Sequence, residues 1–200
     1  GKILPNGQAL AALATLAWRT MGPGTIAVPV HQSQTLERIA AQYGGRVRWT
    51  KTDLHALMEA AQGEDVIMAG DGGGYFIFPH FLPASDAMMA AAKLMEFLAL
   101  QNVKLSEIID GLPAFHLAHG KVDCPWEAKG AVMRQLNEQY KEYGAETIDG
   151  IKIRLSDEKW VLVLPDPDLP QFHVHAESTS LEDAREIVHK YERIIAGLQE

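Results

Sequence analysis

A chain of 200 residues is long enough for one large domain or two small ones. Its composition, 47% hydrophobic and 22% charged, is that of a soluble globular protein. A formal net charge of −8 argues against a surface for nucleic acid or anionic membrane.

Leu10, Leu13, Leu16 and Ala17 recur at helical spacing behind Asn6, the predicted N-cap, and Gly22 supplies the stop. Residues 25–30 read as a short apolar strand. Ser33 is placed as the cap of a helix holding Leu36, Ile39 and Ala40, closed by Gly44-Gly45. Residues 46–50 alternate as a second strand, and Asp53 caps a helix through Leu57, Met58 and Ala61. A buried strand over 65–69, a glycine-rich turn over 70–74 and a strand over 75–78 follow. Ser85 is placed as the cap of a long Ala/Met/Leu helix to about Gln101, and residues 106–109 form a helical turn. This α-β-α-β-α-β order predicts a mostly parallel sheet flanked by helices. Residues 113–124 have few periodic positions and read as a transition. Beyond them come a helix over 127–143 ending at Gly144, strands over 151–155, 160–164 and 172–176, and a closing helix over 181–198 capped by Ser180. The closing helix carries an apolar stripe of Ala184, Ile187, Val188, Tyr191, Ile194 and Ile195. Helix, three strands and helix predict a small α+β domain.

The longest apolar run, residues 84–100, contains Asp86, Lys93 and Glu96 and does not read as a membrane span. No basic-then-apolar leader pattern opens the chain. Cys124 stands alone, which excludes an internal disulfide and makes a reducing cytoplasm the simplest setting. Its expected role is that of a small buried apolar residue. The chain opens on Gly1-Lys2-Ile3-Leu4 with no initiator Met and is read as part of a longer polypeptide.

Few residues point to chemistry. Gly70-Asp71-Gly72-Gly73-Gly74 follows a strand, so its successive N–H groups form either an anion-binding nest or a plain tight turn. It is neither a Walker loop, lacking a following Lys-Ser/Thr, nor a dinucleotide fingerprint, because a strand comes next. His173 and His175 alternate on one strand and share a face, but no third ligand has recognisable spacing, so they read as half-exposed polar positions. Asp166 and Asp168 put two carboxylates on one turn, thin support for a divalent cation. No Ser-His-Asp order is arguable, and no metal ligand or catalytic residue is assigned.

Asp149-Gly150-Ile151-Lys152, Trp160-Val161-Leu162-Val163 and the proline-bounded loop after them resemble the last domain of the alpha-D-phosphohexomutases, the phosphomannomutase/phosphoglucomutase family. Thr25-Ile26-Ala27-Val28-Pro29-Val30 and Phe81-Leu82-Pro83-Ala84-Ser85-Asp86-Ala87 resemble that family's third domain. The resemblance implies a third-domain-like α/β domain over 1–115 and a C-terminal-domain-like α+β domain over 120–200. It sets Asp71, Gly73 and Tyr75 against the family's sugar-binding Glu, Ser and His, and Thr52 against a T-G-H-type turn. Gly73 has no hydroxyl, and the phenol of Tyr75 is no acid–base group at neutral pH. Asp53 is better explained as a helix cap than as part of that turn. In the phosphate loop, roughly R-P-S-G-T-E-P in the family, this chain has Leu164 for Arg, Asp166 for Ser, Pro167 for Gly and Asp168 for Thr. A phosphate clamp needs a guanidinium fork, hydroxyl donors and free N–H groups, and each is lost or reversed in sign.

The family's phosphoserine and magnesium loops belong to its first two domains, so no cofactor is expected in this segment and its magnesium ligands would lie outside the chain. The resemblance therefore implies a catalytically degenerate module of carbohydrate metabolism with a structural, oligomerising or regulatory role. It would be joined to upstream domains of the same polypeptide, such as a sugar-1-phosphate nucleotidylyltransferase of the mannose-1-phosphate guanylyltransferase type. The alternatives are the C-terminal half of an active phosphohexomutase binding a sugar phosphate, and a sensor holding a neutral sugar at Asp71.

Overall fold

The computed structural model describes residues 3–141 and 144–199, and its contacts separate two compact units at Ala114 and Phe115. The first unit opens with α1 (Asn6–Met21), whose Leu10, Leu13, Leu16, Ala17 and Trp18 are buried. Asn6 is the first helical residue and Pro5 stands at the cap, its carbonyl accepting from Gln8 and Ala9 N–H at 2.9 and 3.1 Å. Then come β1 (Thr25–Pro29), α2 (Thr35–Gln42), β2 (Arg46–Thr50), α3 (Leu54–Ala61), β3 (Val66–Gly70), β4 (Phe76–Ile77), α4 (Ala87–Gln101) and α5 (Leu105–Asp110). The sheet order is β2-β1-β3-β4, with β1 parallel to β2 and β3, and β4 antiparallel to β3. β1 and β3 are buried at every residue, as strands covered on both faces must be. This is the predicted α/β class, a mostly parallel sheet with helices.

Two more predicted caps move, each by one residue. Asp86 rather than Ser85 opens α4, because its extended backbone aims the carboxylate at Met89 N–H, 2.9 Å away. Gln34 precedes α2, and Ser33 instead closes a short turn by accepting from Thr35 N–H at 3.0 Å.

The second unit contains β5 (His116–Asp123), α6 (Trp126–Tyr140), β6 (Ile151–Ser156), β7 (Lys159–Pro165), β8 (Gln171–Ser178) and α7 (Leu181–Gly197). Its sheet order is β5-β8-β7-β6, antiparallel throughout. The expected transition over 113–124 is corrected: eight of its residues form edge strand β5, paired with β8 from His116–Ser178 to Asp123–Gln171. The expected end of α6 at Tyr143 lies outside the described residues, and the helix ends at Tyr140. One sheet face meets α6 and α7 in a core of Val132, Leu136, Ile153, Val161, Val163, Phe172, Val174, Val188, Tyr191 and Ile195. Alternation sends His119, Leu162, Leu164, His173 and His175 to the other face. Cys124 is fully buried, and burial raises its thiol pKa, which suits a packing role. No described helix is long and apolar enough to cross a membrane.

Candidate functional site

In an open parallel sheet, ligands bind beyond the carboxyl ends of the strands where the strand order reverses. That edge lies past β1 and β3, since β1 is flanked by β2 on one side and β3 on the other. Three loops leave it, at residues 30–34, 51–53 and 71–75. The structure gathers Asp71, Gly73 and Tyr75 into a single turn. Asp71 Oδ1 accepts N–H from Gly73, Gly74 and Tyr75 at 2.7, 3.0 and 2.9 Å. Gly72 and Gly74 take φ of +69° and +122°, conformations glycine tolerates best. Gln32, buried after β1, donates through Nε2 to the Asp71 carbonyl at 2.6 Å and ties the two loops together. Sequence reasoning passed over Gln32; its place just past a fully buried strand at the reversal point is the signal that marks it.

Thr52 lies in the loop after β2, one residue ahead of the helix cap. Asp53 accepts Ala56 N–H at 2.8 Å and starts α3. Asp53→Ala is expected to destabilise the chain by about 1 kcal/mol, the usual worth of an N-cap. Urea denaturation measures it, and an unchanged midpoint would show that the cap contributes nothing.

The loop between β7 and β8 holds the other predicted residues. Asp166 is buried, with its side chain 10% exposed. Its Oδ1 accepts N–H from Asp168 and Leu169 at 2.9 and 3.0 Å, and its Oδ2 accepts from Gln171 Nε2 and His173 Nε2 at 2.6 and 2.9 Å. The Gln171 and Asp168 hydrogen bonds, ahead of those from His173 and Leu169, hold its carboxyl far below the usual range. Below the loop, Lys129 Nζ donates to the carbonyls of Asp166 and Leu169 at 2.6 and 2.5 Å and sits 3.9 Å from the centre of the Trp126 ring. Lys129 is a buried cation satisfied by carbonyls and an aromatic face. Leu164 is buried at the end of β7, opposite His173, while Pro167 and Asp168 are exposed. Asp166 and Asp168, equivalent in sequence, are therefore different: one carboxylate is the hub of the loop and the other faces solvent.

On the same sheet face His119, His173 and His175 come together. His119 Nε2 lies 2.9 Å from His173 Nδ1, and the His119 ring stacks on His175 with centroids 4.4 Å apart. Desolvation of the stacked ring, then the nearness of His173 and Lys121, keeps the His119 pKa below the usual imidazole value. The third histidine escaped sequence reasoning because β5 did. Among the described residues this is the one cluster of three metal-capable side chains, and it is all nitrogen. Magnesium takes oxygen ligands, so it does not fit these residues.

The comparisons with known proteins agree with this architecture. Residues 6–115 match the phosphoglucomutase/phosphomannomutase alpha/beta/alpha domain III family. The chain is 30% identical over 200 residues to a probable phosphoglucosamine mutase of Methanopyrus kandleri, covering 98% of this chain and 43% of that protein. It is 31% identical over 188 residues to a phosphoglucomutase/phosphomannomutase of Thermococcus kodakarensis, covering 93% of this chain and 41% of that protein. The chain thus spans less than half the length of these relatives. The crystal structure of a phosphoglucomutase/phosphomannomutase family protein from Burkholderia thailandensis shares the fold, with a TM-score of 0.76 at 20% identity over 96% of this chain and 43% of that one. With more than half of its residues matched and its β2-β1-β3-β4 sheet built as described, the chain belongs to the phosphoglucomutase/phosphomannomutase family.

Proposed function

We propose that the chain is the C-terminal two-domain part of a phosphohexomutase-like protein of carbohydrate metabolism, and that its phosphate loop has become a structural turn. One observation carries this reading: Asp166 occupies the loop's own donors. The N–H groups of Asp168 and Leu169, which an anion would need, already bind its carboxylate. Pro167 offers no N–H, Leu164 no charge, and the exposed Asp168 repels a dianion. Phosphoryl transfer needs a nucleophile, a metal and a charge-neutralising pocket, and this loop supplies none of them.

Such a module serves a structural or regulatory role beside other domains. A sugar-1-phosphate nucleotidylyltransferase of the mannose-1-phosphate guanylyltransferase type is the partner domain that best suits a phosphohexomutase module without a phosphate clamp. Reading the gene upstream of Gly1 tests that placement, and a nucleotidylyltransferase-free upstream region removes it.

Calorimetry on the 200-residue chain tests the loss of the clamp. Mannose-1-phosphate and glucose-1-phosphate are expected to give no saturable heat at concentrations up to about 1 mM, which corresponds to binding weaker than about 4 kcal/mol. Tighter binding that changes on substitution of Asp168 would overturn the reading in favour of an active phosphohexomutase half. A neutral sugar at the Asp71 turn gains little support, since Asp71 Oδ1 already accepts three N–H groups.

A further inference from the structure

We propose that His119, His173 and His175 form a binding site for a borderline transition-metal ion of the zinc class. The reading is independent of the phosphate loop's history. Three observations support it. Each histidine presents a ring nitrogen, and the three nitrogens lie within 4.8 Å of one another. Antiparallel register holds them together: His119 of β5 pairs with His175 of β8, and His173 follows two residues away on the same face. The third is the Asp166–His173 contact at 2.9 Å. A carboxylate only accepts, so His173 Nε2 carries the proton, and in the neutral ring Nδ1 turns its lone pair toward His119. A carboxylate behind a ligating imidazole is the usual support of a metal site, fixing both tautomer and ring orientation.

Without metal, the His119 Nε2–H donates to His173 Nδ1. A metal takes the place of that shared proton, which moves to His119 Nδ1 and leaves the ring neutral. Tetrahedral coordination at about 2.0–2.1 Å sets ligand nitrogens about 3.3 Å apart. The His119–His173 pair at 2.9 Å opens by a few tenths of an ångström, and His175 swings inward from its stacked position. His119 is exposed on an edge strand, so its ring has room to turn. Lys121, two residues along β5, opposes a cation, while the carboxylates of Asp166 and Glu192 favour one. All-imidazole ligation selects zinc, cobalt, nickel or copper over magnesium or calcium. Three protein ligands leave a coordination position open to solvent or to a further ligand.

The test uses the tag-free chain with Co²⁺ and Zn²⁺ alone. One Co²⁺ per chain is expected, with visible d–d absorption that Zn²⁺ abolishes by displacement. His119→Ala and His175→Ala are each expected to weaken binding by at least about 100-fold. Asp166→Asn, acting through His173, weakens it by about 10–100-fold. His55→Ala, an exposed histidine on α3, leaves it unchanged. Circular dichroism of each variant separates loss of ligand from loss of fold. Absence of the cobalt band, binding that survives both His119→Ala and His175→Ala, or binding equally weakened by His55→Ala overturns the site.

Discussion

Gly150→Ala is expected to destabilise the second unit by roughly 2–5 kcal/mol, a large share of the 5–15 kcal/mol that keeps a typical domain folded. Two causes add. Gly150 takes φ of +65°, where a side chain costs about 1–2 kcal/mol. An added Cβ would also stand 2.2 Å from the Val163 carbonyl oxygen and 3.1 Å from Leu164 Cα, both backbone atoms that cannot rotate aside. Overpacking of this kind costs about 1–3 kcal/mol. Gly130→Ala makes the control. Gly130 sits inside α6 with nothing within 4 Å of its would-be Cβ, so the same change there stabilises by about 0.5–1 kcal/mol. Urea denaturation of both variants, with amide exchange read along β6 and β7, decides the matter. A Gly150→Ala chain as stable as the unsubstituted one would show that the backbone does not approach so closely.

That glycine explains why Asp149-Gly150-Ile151-Lys152 stood out in the sequence. Ile151 pairs with Val163, so Gly150 passes over β7 where the strand enters the Asp166 loop. The residue type is dictated by a close backbone approach across the β6–β7 hairpin, and a motif records it. Helices marked by strong local chemistry were legible in the same way: Asp53 and Ser180 cap α3 and α7 by accepting N–H from Ala56 and Asp183. β5 was not legible, because its core face offers only Ala118, Gly120 and Val122. Small inward residues on an edge strand give a faint alternation, and pairing with β8 supplies what the local pattern lacks. Missing β5 concealed His119, and with it the histidine cluster. The loop was misjudged in a different manner. Composition shows Asp166 and Asp168 as two like charges, whereas burial of one and exposure of the other depends on Lys129 and His173, which no local pattern connects to them.

Asp166→Ala and Asp168→Ala are therefore expected to differ sharply despite their shared loop. Removing the Asp166 carboxylate strands four donors, the N–H groups of Asp168 and Leu169 and the side chains of Gln171 and His173. Unmet buried donors cost far more than absent ones. Thermal denaturation should show a fall of at least about 5 °C, on the scale set by a unit of this size. Asp168→Ala, altering an exposed side chain, should stay within about 2 °C. Acidity separates the two further. The folded Asp166 carboxyl is held below its unfolded value of about 4, so its stabilisation is complete above that pH. It is lost as pH falls below about 4 toward the lower folded value, because only the unfolded chain takes up the proton there. Asp166→Asn removes this group from the titration, and its unfolding should take up about one proton fewer than the unsubstituted chain's at the same acid pH. Equal acid sensitivity in the two would mean that Asp166 is not the loop's internal anion. The reading that this carboxylate occupies the loop's own donors would then fall with it.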